Sequence, residues 1–108
     1  MATFKNAIRY SIGVTAQNVY SSPSLTTSIL LELDVANRTA SDVLATVTVV
    51  DSSAGNTAYI VKDATIPVGS AIPLIAGQKI VLEAGDTVQV TSSASTSLDV
   101  VASVLEGV

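Results

Sequence analysis

The stretch Val43-Leu-Ala-Thr-Val-Thr-Val-Val-Asp-Ser-Ser-Ala-Gly-Asn-Thr-Ala-Tyr-Ile-Val-Lys-Asp63 decides the fold class. In its first arm Val43, Ala45, Val47 and Val49 fall on one face and Thr46 and Thr48 on the other. That is the period of two of a half-buried strand. Valine and threonine are branched at Cβ, which suits a pleated surface and disfavours a helix. Ser52 to Asn56 then supplies Gly55 and Asn56, which accept positive φ at little cost, so the chain reverses there. The second arm, Thr57 to Asp63, is again strand-like, with Tyr59 and Val61 expected on one side. Together the arms predict a hairpin.

Outward from this pair the same rhythm continues. Ile29, Leu31, Leu33 and Val35 alternate with Ser28, Glu32 and Asp34, with Leu30 out of phase on the polar face. Ile66-Pro-Val-Gly69 holds a proline that cannot donate to a central ladder, which places it at an edge or a sheet crossing. Lys79–Glu83 and Thr87–Thr91, joined through Ala84-Gly-Asp86, have the pattern of a second hairpin. In the last run Leu98, Val100, Ala102 and Val104 share a face while Val101 and Leu105 lie opposite. Such a strand is expected to be covered on both sides, by its own domain or by another subunit. Roughly seven to nine strands, with turns about every 8 to 12 residues, predict an all-β antiparallel sandwich, jelly-roll-like or immunoglobulin-like.

Composition removes most site chemistry. The chain has 108 residues, 48% of them hydrophobic, with no His, Cys or Trp and 13% charged. That suffices for one core without disulfides. Zinc sites, thiol chemistry and His-based triads all need residues that are missing. The Gly-containing loops at Gly55, Gly69 and Gly85 lack the spacing, the Lys and the following helix of a phosphate cradle. Asp42, Asp51, Asp63, Asp86 and Asp99 fall at or near strand ends, where Asx-turns account for them, and no calcium-loop spacing occurs. No catalytic, cofactor-binding or metal-ligating residue is predicted, and no cofactor. A net charge of −4 with five scattered Lys and Arg argues against nucleic-acid and anionic-membrane partners. No apolar run reaches the roughly 18 to 20 residues of a membrane span. Ser11, Gly13, Thr15, Gln17 and Asn18 break up the segment where an export signal would run, so synthesis in the cytoplasm is expected.

Residues 1–17 are expected to form either a first strand or an extended arm, ahead of a β-sandwich over 18–108. Phe4, Ile8, Tyr10, Ile12 and Val14 stand at even positions, with Lys5 and Arg9 between them. An arm of this kind adds to a neighbour's sheet edge, where main-chain hydrogen bonds supply affinity and alternate side chains set the register. Phe4, Ile8 and Tyr10 are the candidate partner contacts.

Asp51-Ser-Ser-Ala54, Thr57–Asp63, Ile66-Pro-Val-Gly-Ser70, Lys79–Val90 and Ser97–Glu106, in that order and spacing, resemble a group of small proteins encoded in tailed-bacteriophage structural modules. The likeness covers about residues 18 to 108 and consists of strand-and-turn motifs. It implies a non-enzymatic virion component: a capsid decoration or cement protein, or a tail, neck or fibre-associated subunit. A free ligand-binding module is the remaining alternative. The expected partners are the major capsid protein or other virion proteins, together with further copies of the chain, a trimer being favoured.

Overall fold

A computed structural model describes residues 2–108. Met1, the first residue of the expected 1–17 segment, lies outside the described residues. The chain forms eight strands: β1 (Thr3–Ile12), β2 (Gln17–Ser21), β3 (Ser28–Asn37), β4 (Val43–Asp51), β5 (Asn56–Ile66), β6 (Ala71–Leu82), β7 (Thr87–Ser92) and β8 (Leu98–Glu106). They make two four-stranded antiparallel sheets, ordered β1-β8-β3-β6 and β2-β7-β4-β5. We call these sheets A and B. This interleaving is the jelly-roll arrangement, which settles the choice against the immunoglobulin pattern.

The interior is aliphatic. Leu30, Leu33 and Val35 from β3, Val47 from β4, Val88 and Val90 from β7, and Leu98, Val100 and Val104 from β8 are fully buried between the sheets. Each such side chain contributes roughly 1.5–3 kcal/mol through removal of apolar surface from water. β4 and β8 present the inward sets that their alternation predicts.

β4 and β5 form the expected hairpin, turning at Gly55 with φ 71°. Pro67 to Gly69 carries the chain from β5 in sheet B to β6 in sheet A, which is the sheet crossing that the proline implied.

Three local expectations are corrected. The strands flanking Ala84-Gly85-Asp86 do not pair: β6 belongs to sheet A and β7 to sheet B, so this turn is an arch between sheets. Its geometry is held by Asp86, which is almost fully buried. One carboxylate oxygen of Asp86 accepts the Ser52 N–H at 3.1 Å and the other accepts the Glu83 N–H at 2.9 Å. Gly85, at φ 85°, donates to the Ser22 carbonyl, and a Cβ there would lie 2.8 Å from Ser52 Oγ. Second, a bulge at Leu31 reverses the parity of β3: Leu30 pairs with Val104, and Glu32 with Ser103. Leu30 is therefore fully buried, and Ile29 faces outward. Third, a shift between Val47/Val61 and Thr48/Tyr59 puts Val61 against the core and leaves Tyr59 exposed on the other face. Each bulge inserts one unpaired residue, and a single-residue slip exchanges faces.

Asp86→Ala is expected to leave the Glu83 and Ser52 amides without their acceptor and to destabilise the fold by about 2 kcal/mol. The denaturant midpoint should fall while its slope is unchanged.

Candidate assembly surface

β1 lies at one edge of sheet A, paired only with β8. From Thr3 to Arg9 the pairing runs without interruption, Thr3 against Glu106 and Arg9 against Val100. A shift then occurs before Ile12, which pairs with Leu98. The extra residue is accommodated at Ser11, with φ 56°. Asp99 supports this bulge by accepting the Ser11 N–H at 3.0 Å, and Arg38 donates to the Ser11 hydroxyl and lies 3.4 Å from the Asp99 carboxylate. The bulge decides which way the even positions point: Ile12 turns into the core, and Phe4, Ile8 and Tyr10 stay on the outer face. Phe4 is 76% exposed, Ile8 60% and Tyr10 74%. The sequence-predicted contact residues thus share one face of one edge strand.

They do not stand alone. Phe4 faces Leu105, Leu105 faces Ile29, and Ile29 faces Val81, an apolar row across all four strands of sheet A. A second row runs Ile8, Val101, Asp34, Pro73. Sequence reading missed Ile29 and Val81 as surface residues, because a bulge is invisible to simple alternation. The outer face of β8, expected to be covered, carries Val101 at 44% exposure. Glu32 sits between the rows, opposite Ser103, and Asp34 lies within the second one. The Asp34 carboxylate raises the Glu32 carboxyl above its ordinary value, through hydrogen bonding first and charge second.

The base of β1 is anchored to both sheets. Tyr20 of β2 donates to Glu106 Oε2 at 2.5 Å and shares a 3.0 Å hydrogen bond with Ser28 of β3, while Lys5 Nζ lies 2.9 Å from Glu106 Oε1. These donors hold the Glu106 carboxyl below its ordinary value, Tyr20 contributing most. Burial, then the bond to Glu106, pushes the Tyr20 hydroxyl up. At the other end Arg9 Nε donates to the Asn18 carbonyl at 2.7 Å.

Two other features have some of the makings of a site. Asp51, Glu83 and Asp86 bring carboxylate oxygens within 4.8 Å of one another. Asp86 is consumed by the arch, and Asp51 accepts from the amides of Ala54 and Ser53 and the Ser53 hydroxyl, which lowers its carboxyl. Their hydrogen bonds are those of turns. On the outer face of sheet B, a shallow groove of about 390 Å³ is lined by Thr46, Thr48, Tyr59, Lys62, Asp63 and Gln89, among others. Lys62 Nζ stands 5.1 Å from the Tyr59 ring centre and occupies one aromatic face, which leaves a poor platform for a sugar.

No family model and no curated protein matches this sequence. Among solved structures, the chain is similar to a subunit of Bacillus endospore appendages, described as a novel family of disulfide-linked pili. The TM-score is 0.51 at 13% identity, covering 98% of this chain and 87% of that one. It is also similar to a pentameric capsid protein from metagenomic phage sequences, with TM-score 0.38, 17% identity, and coverage of 98% and 61%. A third match is infectious bursal disease virus Gt strain, with TM-score 0.39, 14% identity, and coverage of 98% and 30%. The appendage subunit shares the fold.

Glu106 is held below its ordinary value, so its stabilising contribution is present above that value and is lost as pH falls through the lowered one. Tyr20→Phe should move the Glu106 carboxyl titration upward and weaken this acid-side dependence. Carboxyl-carbon NMR titration, alongside denaturation at a series of pH values, reads both.

Proposed function

We propose that the chain is a non-enzymatic structural subunit of a tailed-phage virion, a decoration or cement protein that binds and stabilises the head lattice. The observation that carries this reading is the open outer face of sheet A, where Phe4, Leu105, Ile29 and Val81 line up beside Ile8 and Val101. Exposed apolar side chains grouped on one face of a small domain favour a protein contact there. Its partners in this reading are the major capsid protein or other virion proteins, together with further copies of itself. The likeness of residues 18–108 to phage structural-module proteins supports the location.

The appendage subunit that shares the fold is described as belonging to disulfide-linked pili. This chain contains no cysteine, so contacts between its copies are not disulfide-linked. They gain strength from repetition on a lattice, where many modest interfaces act together. Binding to the assembled lattice then stabilises it by mass action, since the subunit adds favourable free energy only to the assembled state. Decoration at the head and attachment at the tail or neck both use such a surface, and a reconstruction of the particle separates them.

Phe4→Ser, Ile8→Ser and Tyr10→Ser should each alter fold stability by less than about 0.5 kcal/mol, as exposed positions do. Each should reduce co-sedimentation with particles stripped of the native protein. Reconstruction of reloaded particles should place density on the icosahedral lattice. Undiminished binding by all three variants, or density confined to the tail, would refute the decoration reading.

A further inference from the structure

We infer that β1 is a self-pairing edge: two copies of the chain join β1 to β1 in antiparallel register centred on Asn6, fusing their A sheets into one continuous sheet. The inference deepens the reading of β1 as an assembly surface and rests on it in taking another protein chain as the occupant.

A sheet edge offers unpaired backbone N–H and C=O groups, and an added strand satisfies them. The four edges of this sandwich are β1, β6, β2 and β5. β6 carries Pro73, which has no N–H, and Gly77 at φ 88°, and its pairing with β3 shifts twice. β5 holds Asp63 at φ 54° and also shifts twice against β4. β2 is five residues long with a shift of its own. β1 offers the uninterrupted stretch Thr3–Arg9, with neither proline nor glycine.

A second copy fits this edge in one register, set by side-chain charge and apolar pairing. A two-fold axis perpendicular to the sheet keeps each copy's faces aligned, so opposed residues have the same parity and the axis passes through a residue pair. Centring on Lys5 opposes Lys5 to its own copy, and centring on Ala7 opposes Lys5 to Arg9. Both put like charges directly across, which is destabilising. Centring on Ile8 opposes Phe4 to Ile12, beyond the Ser11 bulge, and discards most of the regular run. Centring on Asn6 opposes Thr3 to Arg9, Phe4 to Ile8 and Lys5 to Ala7. It uses the whole regular stretch, leaves no two cations directly opposed and pairs the two exposed apolar side chains. The outer apolar rows of the two copies then run into one another across the axis.

The chain has no cysteine, so a single-cysteine scan reads the register directly. Only the central residue meets its own copy, and directly opposed Cα atoms about 4.5–5.5 Å apart lie within disulfide reach. On mild oxidation Asn6→Cys should yield a covalent dimer of twice the 11.0 kDa chain mass, in excess over Phe4→Cys, Lys5→Cys, Ala7→Cys and Ile8→Cys. Light scattering of the unmodified protein at about 50 µM should report a dimer, given a Kd in the low-micromolar range. Phe4→Glu and Ile8→Lys should each weaken dimerisation by about tenfold or more, and the double variant should recover it, because opposite charges then face each other across the axis. A monomer or a trimer in light scattering, a cross-linking maximum elsewhere in β1, or a double variant no better than the singles would overturn the inference. Binding of the purified chain to particles is scored separately: if it persists without self-association, the β1 pairing fails while the structural role stands.

Discussion

The fold depends on satisfying backbone polar groups at the arches that carry the chain from one sheet to the other. Among the described residues, the β4–β5 hairpin is the one connection between sequence neighbours within a sheet; the others cross. An arch ends two strands at once and leaves amides and carbonyls near an aliphatic interior, where an unpaired group costs as much as a lost hydrogen bond. Buried polar side chains meet that need. Asn37 donates to the carbonyls of Ser41 and Ile66 and accepts the Thr39 N–H, closing the passage from β3 to β4. Ser22 and Ser28 bond each other, and Ser97 donates to the Ala94 carbonyl before β8. No buried polar side-chain atom among the described residues lacks a partner.

With the arches secured, the inner faces need only apolar volume, and the aliphatic core follows. The same device frees the outer faces. Sheet B turns threonines, a glutamine, Leu44 and Tyr59 to solvent, while sheet A turns out Phe4, Ile8, Tyr10, Val81 and Val101. Lys5 and Arg9 are tied back to Glu106 and to the Asn18 carbonyl, and their positions limit which register a second β1 can adopt.

Much of this was legible in the chain. Period-two alternation over β4 and β8, Gly55 in a hairpin turn and Pro67 at a sheet crossing came directly from residue chemistry. The even-numbered placement of Phe4, Ile8 and Tyr10 did as well. The misplaced faces have one physical origin. Ile29, Leu30, Tyr59 and Ile12 sit beside bulges, and a bulge shifts parity by a residue without leaving a compositional mark. The Glu83–Asp86 turn resembles a hairpin loop because arches and hairpins draw on the same turn residues. What distinguishes them is a pair of hydrogen bonds to Asp86, one of them from Ser52, far along the chain.

By itself the sequence determined the class of structure and ruled out site chemistry that needs His or Cys. Cβ branching, alternation and turn residues act within a few positions of one another, and missing His and Cys cannot be supplied by folding. Strand order, the parity of β3 and β5, and the apolar rows on sheet A were decided only by the tertiary structure. Each depends on which strands lie side by side, and that is set by contacts between residues distant in the chain, such as Tyr20 with Glu106 and Ser52 with Asp86.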